Sequence, residues 1–317
     1  MILGNTTPSS INADLHFVPT VHVSNAERDA ILSYITTAPA STASLAAGVE
    51  ELGAKAPLMA AFSSRGPAIA GGGDLIKPDI TAPGVDVLAA YAPTSGGYGH
   101  DFDYLSGTSM SGPHMAGLAA LMIQAHATWS PMRIKSSLMT TASVLDNTGS
   151  PIVNDDGSAA GPLNYGSGHV SPTPALNPGL VFDSTATDWQ RFVCGTGARI
   201  PGTPQCSVTG SIDPSNLNVA SIGIGRLQGG QAVTRTVNSV GTRYTVSVSA
   251  PPGTTVTVNP AVVTLGRNQS ATVTITITRT TAPLNAYKFG SLTWTPETQS
   301  GILPSTVRIP IAVKPVA

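Results

Sequence analysis

The segment "SGTSMSGPHMAG", residues 106–117, places a serine between small residues directly before an apolar stretch. Gly107 and Thr108 allow a tight turn, and the residues after Ser109 predict a buried helix that runs to about Gln124. A helix N-terminus presents unpaired backbone amides and positive potential, which suits a developing oxyanion. Ser109 is therefore the candidate nucleophile, with Gly107 and Thr108 as backbone on the oxyanion and substrate side.

The chain around this segment divides into regions that differ in amino-acid composition and hydrophobic pattern. Residues 1–56 contain a strand-like alternation and a helix that Ser24 and Glu27 open with a capping box. Residues 57–183 are denser in glycine, alanine and proline. Their runs "PLMAAFSS" and "VDVLAAY" are typical of buried parallel strands, and a further helix opens with Ser130 as its N-cap. Strands followed by long helices indicate an α/β fold.

The last region, residues 184–317, changes to the two-residue period of strands. In "ATVTITITR" the side chains of Val273, Ile275 and Ile277 share one face, and threonines occupy the other. Short alternating runs separated by glycine and proline turns predict an all-β sandwich of immunoglobulin or fibronectin-III type.

Charge composition excludes several classes of partner. The chain has sixteen lysines and arginines and seventeen aspartates and glutamates, which gives a net charge of -1. No basic surplus exists to neutralise phosphates, so we expect neither a nucleic-acid partner nor an anionic membrane surface. The longest apolar stretch is also too short to span a bilayer.

Two cysteines, Cys194 and Cys206, enclose the loop "CGTGARIPGTPQC". A disulfide across this loop is the favoured interpretation, and two buried thiols are the alternative. No further cysteine or histidine lies at metal-site spacing, so we expect no metal and no cofactor. A disulfide, few charges and many small polar residues indicate a secreted protein. The opening "MILGNTTPSS" is not a signal peptide, which indicates either a cytosolic protein or, as we expect here, a chain whose true start is missing.

The α/β-hydrolase nucleophile elbow is one alternative context for the serine. That motif is G-x-S-x-G, and here Ser111 stands where its final glycine belongs. The chain order Ser109, then Asp146 or Asp155, then His169 could formally supply a triad. The missing glycine disfavours this interpretation.

Four motifs together resemble the subtilisin-like serine peptidases of the cucumisin or plant-like branch. "GTSMSGPHMAG" is similar to their nucleophile signature. "AFSSRGP" (61–67) and "KPDITAPGVDVLAAY" (77–91) precede it, and "YGSGHVSPTPALNPGLVFD" (165–183) follows it, in the family's order. The resemblance implies a partial subtilisin-like parallel sheet with helices, then a fibronectin-III-like sandwich. It implies hydrolysis of polypeptides through an acyl-enzyme on Ser109.

The resemblance also assigns the regions. Residues 1–56 would be the end of a protease-associated insert and its return linker. Residues 57–183 would be the C-terminal part of the catalytic domain, and residues 184–317 the sandwich. In that family the triad aspartate and histidine, and the oxyanion-hole asparagine, precede the insert, and no "HGTH"-like run occurs here. We therefore expect negligible activity from this chain alone and a missing N-terminal half as its partner. The alternative is a non-catalytic binding fragment that uses the insert and sandwich surfaces.

None of the histidines is expected to replace the missing base. His114 lies five residues beyond Ser109 on the same helix, too far round to reach it, and is expected to be a packed core histidine. We expect His16 and His22 at the surface and His100 in a solvated turn. His126 and His169 have no motif support as bases. Asp101 and Asp103, the carboxylates beside His100, are expected to belong to the same solvated turn.

Two acidic pairs have structural interpretations. Asp79 and Asp86 flank "APG", and the resemblance implies that they shape this turn. Asp155 and Asp156 in "VNDDGSA" form an acidic turn, for which we expect no calcium.

Overall fold

The computed structural model describes residues 1–92, 101–239, 242–297 and 304–317. They fall into two compact units. Unit 1 comprises Met1–Ser63, Ala82–Ala116 and Leu145–Ala160, and unit 2 comprises Ser64–Thr81, Gly117–Val144 and Gly161–Ala317. Mixed helix and sheet precede an all-β region with several sheets, which confirms the predicted fold class.

Unit 1 holds short strands and the start of the long helix. Its elements are β1 (Ile2–Gly4), β2 (Val21–Val23), α1 (Asn25–Thr37), β3 (Val87–Ala90), β4 (Phe102–Leu105) and the first half of α2 (Thr108–Ala125). Strands β1 and β2 pair in parallel, and β3 and β4 form an antiparallel pair. The capping box of α1 is confirmed, because Ser24 Oγ accepts from the Glu27 amide while the Glu27 carboxylate accepts from the Ser24 amide.

Two expectations of burial are wrong. The run "VDVLAAY" forms β3, which pairs antiparallel with β4 and exposes most of its residues, so it is not a buried parallel strand. Helix α2 buries only Met122, and Leu121 and Ile123 remain 58% and 55% exposed. A helix with apolar residues on every side needs cover on every side, and the described residues cover only one part of it.

Unit 2 begins with helices that lead into the sandwich. They are α3 (Pro131–Thr140), α4 (Pro162–Tyr165), α5 (Pro172–Ala175), α6 (Ala186–Gly195) and α7 (Cys206–Thr209), with a short 3-10 turn at Pro214–Asn216. The predicted cap of α3 is confirmed, because Ser130 Oγ accepts from the Arg133 amide and Pro131 is the first helical residue. Among the described helices, none is long and apolar enough to cross a bilayer.

The sandwich consists of a five-stranded and a four-stranded sheet. Its strands are β5 (Leu180–Phe182), β6 (Ile222–Gln228), β7 (Gly230–Ser239), β8 (Thr242–Ser249), β9 (Thr254–Asn259), β10 (Val262–Leu265), β11 (Ser270–Arg279), β12 (Lys288–Pro296) and β13 (Val307–Val316). The sheet orders are β10-β8-β12-β13-β6 and β5-β7-β11-β9. Neighbours pair antiparallel except β13 and β6, which are parallel.

The core of unit 2 lies between these sheets. Val273, Ile275 and Ile277 are fully buried, as their alternation predicted, and Trp294 is buried with them. Arg235 is buried in the same unit without a carboxylate partner among the described residues. Its guanidinium donates to the backbone oxygens of Val219, Thr234 and Ser221 at 3.1, 2.7 and 2.7 Å. Burial lowers the pKa of Arg235 to about 9.

A disulfide joins the end of α6 to the start of α7. Cys194 and Cys206 have their Cα atoms 5.6 Å apart and are bonded through their sulfurs. Strand β5 precedes residue 184 and pairs with β7, so the segment before the expected domain boundary contributes a strand to the sandwich. The boundaries at residues 56 and 183 stay predictions.

Candidate active site

Ser109 lies in the first turn of α2, and its side chain is exposed. The helix begins at Thr108, and the Met110 amide closes the first turn by donating to the Gly107 carbonyl oxygen at 3.0 Å. The serine is thus presented at a helix N-terminus, where unpaired amides concentrate positive potential.

A second segment of unit 1, residues 82–86, fixes this turn from the side. The Gly107 amide donates to the Gly84 carbonyl oxygen at 2.7 Å, and Ser111 Oγ donates to the Ala82 carbonyl oxygen at 2.9 Å. The "TAPG" and "GTSMSG" motifs therefore form one structure around the serine. The role of Ser111 was not predicted, because its partner lies 29 residues earlier in the sequence.

Asp86 also joins these two segments, through Ser106, the residue before Gly107. Its amide donates to Ser106 Oγ at 2.8 Å, and its carboxylate accepts from Ser106 Oγ at 3.0 Å. The carboxylate also accepts from the Ala13 amide at 2.8 Å. These contacts agree with the turn-shaping role that the family resemblance implied for Asp86.

Asp79 occupies a different setting, inside unit 2. Its carboxylate contacts Lys135 Nζ at 2.9 Å and also pairs with Lys77 Nζ. Burial lowers the pKa of Lys135, and the charge of Asp79 opposes that effect. Lys135 also lies 5.9 Å from the centre of the Trp189 ring, so this network is structural.

The geometry near Ser109 defines which backbone groups are free for chemistry. The Gly107 amide is already paired with Gly84, so an oxyanion beside Ser109 would pair with the amides of the first turn of α2. Thr108 and Ser109 belong to that turn. The assignment of Gly107 and Thr108 to the substrate side stays a prediction.

His114 does not have the environment that the sequence predicted. It is exposed, not packed in a core, and its Nδ1 donates to the Met110 carbonyl oxygen at 2.8 Å, one turn back on α2. The ring is thus held against its own helix by the Met110 carbonyl oxygen, so His114 does not act as the base of Ser109.

The other described histidines have partners away from Ser109. His126 Nε2 lies 3.0 Å from the Leu176 carbonyl oxygen, and its ring stacks on Trp129. His16 and His22 approach each other, and both are partly buried rather than fully at the surface. His100 lies outside the described residues. Among the residues that the structure describes, no imidazole is hydrogen-bonded to the Ser109 hydroxyl.

Asp146 and Asp155, the carboxylates considered for an α/β-hydrolase triad, accept hydrogen bonds from other residues. Asp146 accepts from the amide and hydroxyl of Thr148 and from the Ser150 amide. Asp155 accepts from Ser10 Oγ and from the Ala61 amide. His169 forms backbone bridges to Thr81 and Ser143. These contacts are structural and give no support to that alternative.

Comparison with known proteins decides the family. Residues 4–168 match the model of the subtilase family, and residues 216–313 match a fibronectin type-III domain. This chain belongs to the subtilase family. Three of the four motifs, at residues 61–67, 77–91 and 107–117, lie inside the matched range, and the fourth begins at its end.

The related proteins are plant subtilases. Subtilisin-like protease SBT1.7 of Arabidopsis thaliana is 38% identical, over 93% of this chain and 42% of its own length. SBT3 of Solanum lycopersicum is 37% identical, over 94% of this chain and 42% of its own length. The Arabidopsis "CO(2)-response secreted protease" is 36% identical, over 87% of this chain. This subtilase chain thus spans about two fifths of the length of the curated relatives it matches.

Solved structures add nothing to this assignment. WR4, an MSP family member of C. elegans, covers 28% of the chain with 12% identity and a TM-score of 0.20. This likeness is too low to support an argument.

Proposed function

We propose that this chain is the nucleophile-bearing part of a secreted serine endopeptidase that hydrolyses polypeptides. The observation that carries the proposal is an exposed serine in the first turn of α2, inside a match to the subtilase family. The proposal keeps residues 1–56 as the end of an insert, 57–183 as catalytic-domain sequence and 184–317 as the sandwich. It places the triad aspartate and histidine outside these 317 residues.

The chemistry follows the general scheme of serine hydrolysis. The histidine removes the proton from Ser109 Oγ, which attacks the peptide carbonyl carbon and forms a tetrahedral oxyanion. The same histidine returns the proton to the leaving amine as the C–N bond breaks, and an ester on Ser109 remains. Water then hydrolyses this ester and restores the hydroxyl. The amides at the start of α2 stabilise the oxyanion in both steps.

A serine without its base is an ordinary alcohol, so the isolated chain should have negligible activity. In subtilisin, loss of the histidine alone lowers turnover by roughly 10⁶-fold, about as much as loss of the whole triad. His16, His22, His114 and His126 have other hydrogen-bond partners, which supports this part of the proposal.

The proposed partner is the N-terminal half of the same catalytic domain. The hairpin of β3 and β4 in unit 1 exposes large apolar side chains, with Leu88 57% and Phe102 62% exposed. Soluble proteins rarely leave such side chains grouped in solvent, so cover by further polypeptide is favoured. An interface that completes a domain is large and obligate, and we expect more than about 2,000 Å² to be buried.

Secretion is proposed on two grounds. The Cys194–Cys206 disulfide suits an oxidising compartment, and one relative is named as a secreted protease.

Activity-based labelling tests the proposal. A fluorophosphonate probe reacts with an activated serine, so we would apply it to the protein isolated from its natural source and to this 317-residue chain alone. Mass spectrometry of the digested protein should place the adduct on Ser109 in the natural protein, whereas the isolated chain should stay unlabelled. The intact mass of the natural protein, measured on the same sample, should exceed that of the chain.

Neighbouring serines provide the matched controls. In the natural protein, Ser109→Ala should abolish labelling, whereas Ser106 should carry no adduct. An adduct on Ser106 or Ser111 would show that the nucleophile is misassigned. Labelling of the isolated chain at Ser109 would disprove the dependence on residues outside it.

A further inference from the structure

Three metal-ligating side chains of unit 1 converge beside strand β2. The Asp14 carboxylate, His16 and His22 each offer one atom, and these atoms all lie within 4.8 Å of one another. The two Nε2 atoms of the histidines are 2.7 Å apart, and His22 Nε2 lies 4.0 Å from Asp14 Oδ2. Nothing in the proposed peptidase chemistry uses this group, and the sequence had predicted no metal site, because Asp14 and His22 meet only in the folded chain.

The backbone around the cluster is fixed by strand pairing. His22 is the central residue of β2 and faces Leu3 of β1 in the parallel register. The start of β2 is also held by its backbone, because the Val21 amide donates to the Met1 carbonyl oxygen at 3.1 Å. The His22 side chain is 21% exposed and that of Asp14 is 67% exposed. The cluster is therefore held by β2 on one side and is open to solvent on the other, so an ion can reach it.

The two histidine nitrogens can be satisfied in two ways, by one hydrogen bond between them or by one shared ion. At a separation of 2.7 Å the two Nε2 atoms form one N–H···N hydrogen bond, in which one ring donates and the other accepts. A divalent cation between them would bind both nitrogen lone pairs, and the Asp14 carboxylate would neutralise one of its two charges. Zinc–nitrogen bonds of 2.0–2.1 Å in tetrahedral geometry place two nitrogens about 3.3 Å apart. The rings need to part by only about half an ångström to admit the ion.

We propose that Asp14, His16 and His22 form a binding site for Zn²⁺ or a similar divalent transition-metal ion. Two imidazoles and one carboxylate are ligands that such ions prefer, whereas Ca²⁺ and Mg²⁺ favour oxygen atoms alone. Three protein ligands leave a further position for water. The ion would link the loop at residues 14–16 to β2 and so stabilise this part of unit 1. The proposal is independent of the peptidase assignment.

Metal titration of the chelator-treated 317-residue chain tests the proposal. We expect calorimetry with Zn²⁺ to give one saturable site per chain and a raised thermal midpoint. Co²⁺ should bind at the same site and produce visible absorption bands of a nitrogen-ligated ion. His22→Gln, His16→Gln and Asp14→Asn should each weaken binding by more than about tenfold, because loss of even an outer-shell partner of a ligand typically costs about 10–100-fold. His126→Gln is the matched control, because His126 pairs with Leu176 far along the chain, and it should leave binding unchanged.

The ¹⁵N NMR signals of the histidine ring nitrogens provide a second measurement that needs no substituted protein. In the unsubstituted chain, addition of Zn²⁺ should shift the Nε2 signals of His16 and His22 and leave that of His126 in place. A titration without saturable binding would overturn the proposal and leave a hydrogen-bonded histidine pair only. Binding that His126→Gln abolishes, or that all three cluster variants retain, would also overturn it.

Discussion

The Gly107 amide donates a 2.7 Å hydrogen bond to the Gly84 carbonyl oxygen. This bond holds the residue before the helix against a segment that lies more than twenty residues earlier in the sequence. The position of Ser109 therefore depends on close approach of the two backbones, and Gly84 is the residue that allows it.

Gly84→Ala should disrupt the turn that presents Ser109. A Cβ at Gly84 would lie 2.3 Å from Ser111 Oγ and 2.9 Å from the Gly107 carbonyl oxygen, both closer than side chains tolerate. We expect a lower thermal midpoint in the 317-residue chain and loss of fluorophosphonate labelling in the complete enzyme. Gly112→Ala is the control, because nothing lies within 4 Å of its added Cβ and alanine favours a helix. Equal midpoints for the two variants would contradict the argument.

Replacement of both Cys194 and Cys206 by serine should destabilise unit 2. The disulfide closes a loop with a sequence separation of 12, and loss of such a cross-link costs about 3 kcal/mol through the entropy of the unfolded chain. Urea unfolding measures the difference. Dithiothreitol should lower the midpoint of the unsubstituted chain by a similar amount and leave the double variant unaffected. A reductant effect on the double variant would point to another cause.

Asp74→Asn should increase stability at neutral pH but not in acid. Burial raises the pKa of the Asp74 carboxyl, and the hydrogen bond from the Gly225 amide only partly opposes this. The stability gained from its protonated form is complete below the unfolded pKa of about 3.9 and is lost as pH rises through the raised folded pKa. Asparagine keeps an oxygen for the Gly225 amide without the charge. Urea midpoints of the two proteins should coincide near pH 3 and separate at pH 7.

Asp146→Asn should have the opposite pH dependence. The hydrogen bond from the Thr148 hydroxyl, with amide donors from Thr148 and Ser150, lowers the pKa of the Asp146 carboxyl. The stability from its ionised form is present above the unfolded pKa of about 3.9 and is lost as pH falls through the lowered folded pKa. The variant should therefore be less stable than the unsubstituted chain at pH 7, and the difference should shrink in acid. A constant difference across the pH range would refute the assignment.

Tyr244→Phe should stabilise the sandwich. The Tyr244 hydroxyl is buried beside Gly179, has no hydrogen-bond partner among the described residues, and has its pKa raised by burial. Its removal eliminates an unsatisfied polar group without a large cavity, so we expect a gain of about 1 kcal/mol in the free energy of unfolding. Tyr244→Ala is the contrasting variant and should cost about 3–5 kcal/mol, because it leaves a cavity.

Local patterns in the sequence were sufficient for much of the fold. The alternation of Val273, Ile275 and Ile277 predicted their burial, and the caps at Ser24 and Ser130 were visible from adjacent residues. Both signals act within a few residues, where spacing alone determines which groups can meet.

Contacts between distant segments could not be predicted in the same way. The Ser111–Ala82 hydrogen bond and the approach of Asp14 to His22 depend on how loops return to a strand or turn, which no periodicity encodes. The exposure of α2 was missed for a related reason. Its apolar composition indicates a helix that can be buried, but composition does not say which polypeptide covers it.

The parallel pairing of β6 with β13 has a consequence for biosynthesis. These strands come from opposite ends of the sandwich sequence, and β13 also separates β6 from β12 in the five-stranded sheet. No hairpin can form this pairing, so the sheet cannot close until β13 has been synthesised and has left the ribosome. Until then β12 has no neighbour on that side, and an unpaired strand edge of this kind can pair with another chain.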